Sequence, residues 1–232
     1  MSDAFRNPVA FVLAVLLAGP IAAAETGGRR IDMFHPPVGG PRVTWNAFHE
    51  DPAAKTDEVW HIGEDAIVCQ GTPLGYLYTE QDFTDFVLRL EWRRPPEKAP
   101  GKGGVLIRTT GNHKIWPKSL EAQLNAGGAG DFWGLDGYRL TGPDERTKSL
   151  KHPQFGRLTN VEKTVDAEKP PGEWNTYQII ARGDVVTLIL NGREVNRATG
   201  CDVVPGKICL TSEGDEIHFR NVRLEVIDGP AK

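Results

Sequence analysis

The sequence predicts an all-β fold, two antiparallel sheets packed face to face as a sandwich or jelly roll. Three observations carry this. Short runs of alternating apolar and polar residues recur from residue 58 to 227, separated by Gly, Pro, Asn and Asp turn signals. No segment sustains a helical period. Asn191-Gly192 lies between two such runs, and this dipeptide favours a tight hairpin because both positions tolerate φ > 0.

The elements follow in order. Val59 to Ile62 and Ala66 to Gln70 flank Gly63-Glu64-Asp65 as a hairpin-like pair, followed by Gly75 to Thr79. Phe83 to Arg93 reads as the longest early strand. Phe86, Leu88, Leu90 and Trp92 take one face, and Val87, Arg89, Glu91 and Arg93 the other. Pro95-Pro96 stops it, since proline cannot donate to a ladder. Gly103 to Arg108 and Ser119 to Leu124 form the next strands. Residues 125–172 hold many Gly, Pro and charged residues and read as an irregular excursion of the kind that often carries function. Trp174 to Arg182, Asp184 to Leu190 and Arg193 to Arg197 follow, then Gly206 to Ser212 and Ile217 to Ile227. In the last strand Ile217 and Phe219 share one parity, while Val222, Leu224 and Val226 share the other. A β-bulge near Arg220-Asn221 accounts for the slip.

Residues 1–24 stand apart. Arg6 precedes an apolar run from Val9 to Ala18, Gly19-Pro20 breaks it, and Ala22-Ala23-Ala24 matches an A-x-A cleavage pattern. This predicts a secretory signal peptide, cut after Ala24, and a secreted or periplasmic product; an uncleaved anchor is the alternative. Residues 25–56 read as a linker and lead-in segment, with Trp45 and Phe48 docking on a β-domain over 57–228. The net charge is -4, with no basic tract, which argues against nucleic acid as a partner. After cleavage, no membrane partner is expected. Cys69, Cys201 and Cys209 leave three pairings open, a local Cys201–Cys209 bridge among them, beside three buried thiols. No metal-binding motif, nucleophile elbow or phosphate loop is present.

The strand pattern places polar side chains on one surface. Leu120, Ala122 and Leu124 alternate with Glu121 and Gln123. Val105 and Ile107 alternate with Leu106 and Arg108. If the two strands are neighbours, an acid, an amide and a guanidinium share a concave face, covered in part by the 125–172 segment. Arg89 and Glu91 are candidates for the same surface. The loops offer His113, Trp116, Asp131, Trp133, Tyr138, Lys151 and His152, and the last turn offers Glu213. Planar hydrogen-bonding groups beside aromatic faces suit sugars. Glu121, fixed mid-strand between apolar neighbours, has the strongest catalytic case. Its other reading is a structural ion pair with Arg108.

Trp60, Gly75-Tyr76-Leu77-Tyr78-Thr79, Phe83 to Arg93, Gly104 to Arg108, Leu120 to Leu124, Gly172-Glu173-Trp174-Asn175, Leu190-Asn191-Gly192 and Phe219 to Val222 succeed one another in this order. In that combination the chain resembles the 3-keto-disaccharide hydrolase domain family, which is similar to the concanavalin A-like jelly rolls. The chain departs from the family pattern at Gly103-Gly104, where Asn-Ser-Gly is common, and at Glu213-Gly214, where His-Gly is common. The resemblance implies cleavage of a glycosidic bond in a sugar already oxidised at C3. A C3 ketone acidifies the C2 proton, so elimination at C1 followed by hydration, or ordinary hydrolysis, becomes the expected chemistry. The roles it implies are Glu121 as base or acid, Arg108 as enolate stabiliser, and Gln123 as the group that orients the sugar. Arg89, Glu91, His113, Asp131, Trp133, His152 and Glu213 are then candidate substrate contacts. No cofactor is required on this reading. A divalent cation such as calcium would replace or assist Arg108, at no site the sequence locates. A non-catalytic carbohydrate-binding module of the same fold is the alternative.

Overall fold

The structure, a computed structural model, describes residues 28–98 and 101–227. The signal segment expected over 1–24 lies outside the described residues.

Among the described residues sixteen strands form two antiparallel sheets of eight. The first contains β1 (Arg29–Asp32), β3 (Trp60–Ile62), β4 (Ile67–Cys69), β6 (Phe86–Arg93), β12 (Asn175–Arg182), β13 (Val185–Leu190), β14 (Arg193–Ala198) and β16 (Ile217–Val226). Its order is β14-β13-β12-β6-β16-β4-β3, with β1 also on β16. The second contains β2 (Trp45–His49), β5 (Gly75–Thr79), β7 (Gly104–Thr110), β8 (Lys118–Gln123), β9 (Phe132–Leu135), β10 (Thr147–His152), β11 (Gly156–Val161) and β15 (Lys207–Ser212). Its order is β10-β11-β9-β8-β7-β15-β5-β2. Among the described residues helix is limited to α1 (Thr56–Val59) and two 3-10 turns.

Alternation dictates the core. Leu88, Leu90, Trp92, Ile107, Leu120, Leu124, Leu188, Leu190 and Phe219, all expected inside, are buried between the sheets. The Asn191-Gly192 turn has φ of 50° and 79°, as a tight hairpin with both positions left-handed requires. The slip in β16 is a register shift between Arg220 and Arg223, with Asn221 at φ 52°.

Two expectations need correction. The 125–172 segment is not an irregular cover. It supplies β9, β10 and β11, which extend the second sheet in its own plane. β10 was hidden because it is an edge strand, partly or fully exposed along its length and carrying Lys148 and Lys151. Such a strand shows no apolar alternation. The 25–56 segment likewise contains β1 and β2, paired to β16 and β5. Trp45 stacks on Phe34, and Phe48 packs against Tyr76. The three cysteines are buried free thiols. Cys201 lies in the main core and Cys209 in a second apolar cluster, so the local bridge is not formed.

That second cluster positions the site. Tyr76, Leu106, Leu135, Leu158 and Cys209 project from the outer face of the second sheet, with Trp116, Trp133 and Phe155 partly buried against them.

Candidate functional site: a carboxyl pair beside a groove on the outer face of the second sheet

Glu121 sits opposite Leu106 on β7 and Trp133 on β9, so it shares their outer face. Its carboxylate leans over Gly104, where a Cβ would stand 2.5 Å from Oε1. The glycine makes room for the acid. Gly104 itself is pinned by Thr211, whose hydroxyl accepts from Gly104 N at 2.6 Å and donates to Gly104 O at 3.1 Å. Next along the chain from β15 comes Glu213. It lines a groove of about 160 Å³ with Tyr76, Lys102, Leu106, Trp116 and Thr211. This is smaller than the ~300–1,000 Å³ of typical ligand pockets, a size for one sugar unit. Beyond Tyr76 and His113 lies a second hollow of about 220 Å³, lined also by Asp82 and Lys207.

The electrostatics are unusual. Glu121 is only 4% exposed. Burial holds its carboxyl well above the usual carboxylate range, and the charges of Glu213 and Asp131 push it further the same way. Glu213 is also raised by burial, but the Thr211 hydroxyl and Lys102 pull it back. Its Oε1 is buried with no hydrogen-bond partner among the described residues. Asp131 is raised by burial and held by the backbone N–H of Lys163 at 2.9 Å. Burial thus holds both carboxyls toward the protonated form, and only at Glu213 do a hydroxyl and a nearby cation oppose that shift.

The other expected residues divide. Gln123 lies two positions along β8 from Glu121 on the same face, its Oε1 against Gly128. Trp133 is the cross-strand neighbour of Glu121, with its Nε1 buried and without a hydrogen-bond partner among the described residues. His113 accepts or donates at Nδ1 to the Tyr76 hydroxyl at 3.0 Å and packs on Tyr78. Burial, with help from Lys207, lowers its pKa and so favours the neutral ring. His152 stacks on Phe155, which in turn tilts against Trp116, so it marks the far rim.

Arg108 is not in the site. A register shift in β7 between Ile107 and Thr110, with Arg108 at φ 49°, turns its side chain to the opposite side of the sheet. There it is fully buried and donates to Thr84 O, Asp202 O, Asp85 Oδ1 and Gly183 O at 2.8–3.1 Å. It ties the two sheets together. Arg89 and Glu91 are also elsewhere: both point out from β6, on the outer face of the first sheet. Arg89 pairs with Glu225, and Glu91 with Arg220 and Asn221. Parity was right for them, but they belong to the other sheet. Tyr138 is buried, its hydroxyl spent on Asp202 O.

A family model described as the 3-keto-alpha-glucoside-1,2-lyase-like domain matches residues 42–225. The chain belongs to that family. Among curated proteins, none matches the sequence of this lyase-like domain. Solved structures share its fold. A Parabacteroides distasonis protein provisionally assigned as a glycosyl hydrolase superposes with a TM-score of 0.54 at 16% identity, over 79% of this chain and 89% of that one. The carbohydrate-binding module CBM66 of Bacillus subtilis gives 0.54 at 14% identity, over 78% and 94%. SCLam, a non-specific endo-beta-1,3(4)-glucanase of family GH16, gives 0.52 at 12% identity, over 79% and 84%. At these identities the likeness is one of fold: a jelly roll shared by carbohydrate-active and carbohydrate-binding proteins.

Sequence reasoning missed Lys102, Tyr76 and Thr211 as groove residues. Tyr76 had a legible signal, since it shares outward parity with Tyr78 in β5. Lys102 had none, because it sits in a loop before β7. Among the described residues no group of three or more His, Cys, Asp or Glu side chains is arranged to hold a metal ion.

Proposed function

We propose that this lyase-like domain cleaves 3-keto-glycosides by proton abstraction at C2 and elimination of the C1 substituent. The observation that carries the reading is the buried carboxyl pair: burial raises both Glu121 and Glu213, and Glu213 lines the groove with an oxygen that has no hydrogen-bond partner among the described residues. The family description, which names a 1,2-lyase acting on a 3-keto-alpha-glucoside, supports elimination over ordinary hydrolysis.

The roles follow from the placement of the two acids. Glu213, which lines the groove and is short of a hydrogen bond, takes the C2 proton. The electron pair moves onto the C3 carbonyl oxygen as the enolate forms. Lys102, at the groove edge, is the cation available to that oxygen. As the C1–O bond breaks, Glu121 delivers its proton to the departing oxygen. The sugar product then has a C1=C2 double bond, and addition of water across it gives the free keto-sugar. Trp116, partly exposed at the groove, supplies a ring face for the sugar.

An assay of a 3-keto-disaccharide beside its unoxidised parent tests this. The keto form is expected to be consumed with release of the aglycone, and the parent to be untouched, because without the ketone the C2 proton is not acidic. Equal cleavage of both would make the enzyme an ordinary glycosidase. Binding without cleavage of either would make it a binding module.

A further inference from the structure

The outer face of the first sheet carries a second groove, of about 350 Å³, which the chemistry above does not use. Its lining contains a row across four strands. Arg223 on β16 stands opposite Arg89 on β6, Arg89 opposite Gln178 on β12, and Gln178 opposite Ile189 on β13. At the ~4.8 Å spacing of neighbouring strands the row spans about 14 Å. Two guanidinium groups directly across a strand pair repel each other. Arg89 is partly compensated by the buried Glu225 at 3.1 Å, which Arg30 also approaches at 3.6 Å. Arg223 is 65% exposed, and Asp32 at 3.8 Å is too far to accept a hydrogen bond from it. The one carboxylate among the described lining residues, Glu91, is taken up by Arg220 at 2.7 Å and Asn221 at 2.8 Å. The groove therefore presents an incompletely answered pair of cations, then an amide, then an aliphatic patch.

We propose that this row is a second saccharide site, for carboxylate-bearing sugars of an acidic glycan. A sugar carboxylate would lie on the Arg223–Arg89 pair, whose planar forks match it. Ring hydroxyls would meet Gln178, and the C–H face of a neighbouring unit would rest on Ile189. The site is on the opposite sheet from Glu121 and does not depend on the elimination chemistry.

Titration of the protein with digalacturonate, followed by calorimetry at low and moderate salt, tests it. The expected result is saturable binding that weakens with salt. Neutral galactobiose should bind at least tenfold more weakly, and Arg223→Gln should lose at least tenfold in affinity for digalacturonate. Because the Arg223 side chain is exposed, that variant should melt with the wild type and turn over a 3-keto-disaccharide at the wild-type rate. Gln178→Ala, which leaves both arginines in place, should weaken binding by a smaller factor. Absence of saturable binding to the wild type, equal binding of galactobiose, or undiminished digalacturonate binding by Arg223→Gln would each overturn the proposal.

Discussion

Glu121→Gln is expected to lower turnover of a 3-keto-glycoside by about 100-fold or more, the usual scale for loss of a general acid or base. The substitution keeps the shape of the side chain and its place over Gly104, so the fold should survive. Stability should change with pH in a defined direction. The folded-state pKa of Glu121 is raised, so across the window above the ordinary carboxylate value of about 4.3 the native protein binds more protons than the unfolded chain. The contribution of Glu121 to wild-type stability therefore falls as pH rises through that window. Below it, Glu121 is neutral in both states and contributes no pH dependence. The amide variant has no such loss, so relative to the wild type it should gain in melting temperature between pH 4 and pH 8. Activity carries the same group as its alkaline limb, because the acid is spent once Glu121 ionises. Melting curves and turnover at both pH values check this. A variant with wild-type turnover would remove Glu121 from the mechanism.

Arg108→Met should give the largest loss of stability and no specific loss of chemistry. The guanidinium is fully buried and its donors are used on Thr84, Asp85, Gly183 and Asp202. Removing it leaves Asp85 with the Gly183 N–H and Asp202 O with the Tyr138 hydroxyl, and takes a donor from Thr84 O and Gly183 O at the seam between the sheets. Breaking one side of a buried ion pair costs about 3–5 kcal/mol, which for a chain of this size is roughly 10 °C in melting temperature. Below its melting point the variant should retain wild-type turnover per folded molecule. A variant that melts normally but is inactive would return Arg108 to the site.

These two residues show where the sequence was legible. Strict alternation in β8 placed Glu121 and Gln123 on the outer face, and the structure has them there. The same rule applied to β7 predicted that Arg108 would join them. It fails because a bulge inserts a left-handed residue, and nothing in Leu106-Ile107-Arg108-Thr109 marks that slip. In β16 the bulge was readable, because the apolar phase itself changes sides. Arg89 and Glu91 were placed on the correct face of β6, but strand parity does not say which of two sheets a strand joins. Pairing is non-local: β6 lies between β12 and β16, far along the chain. Glu213 was readable as a turn residue and a candidate substrate contact. Its proximity to Glu121 comes from β15 lying beside β7, which again is topology.

The central claim is that the carboxyl groove removes the C2 proton of a 3-keto-glycoside. A 3-keto-disaccharide deuterated at C2 of the keto sugar, incubated with the protein in ordinary water and followed by mass spectrometry of the released sugar, tests it most directly. Elimination breaks the C2–D bond, so the keto-sugar product should carry hydrogen at C2 and turnover should slow relative to the protiated substrate. Product that retains its deuterium, formed at an undiminished rate, would mean that the bond at C1 is hydrolysed without proton abstraction and would contradict the account.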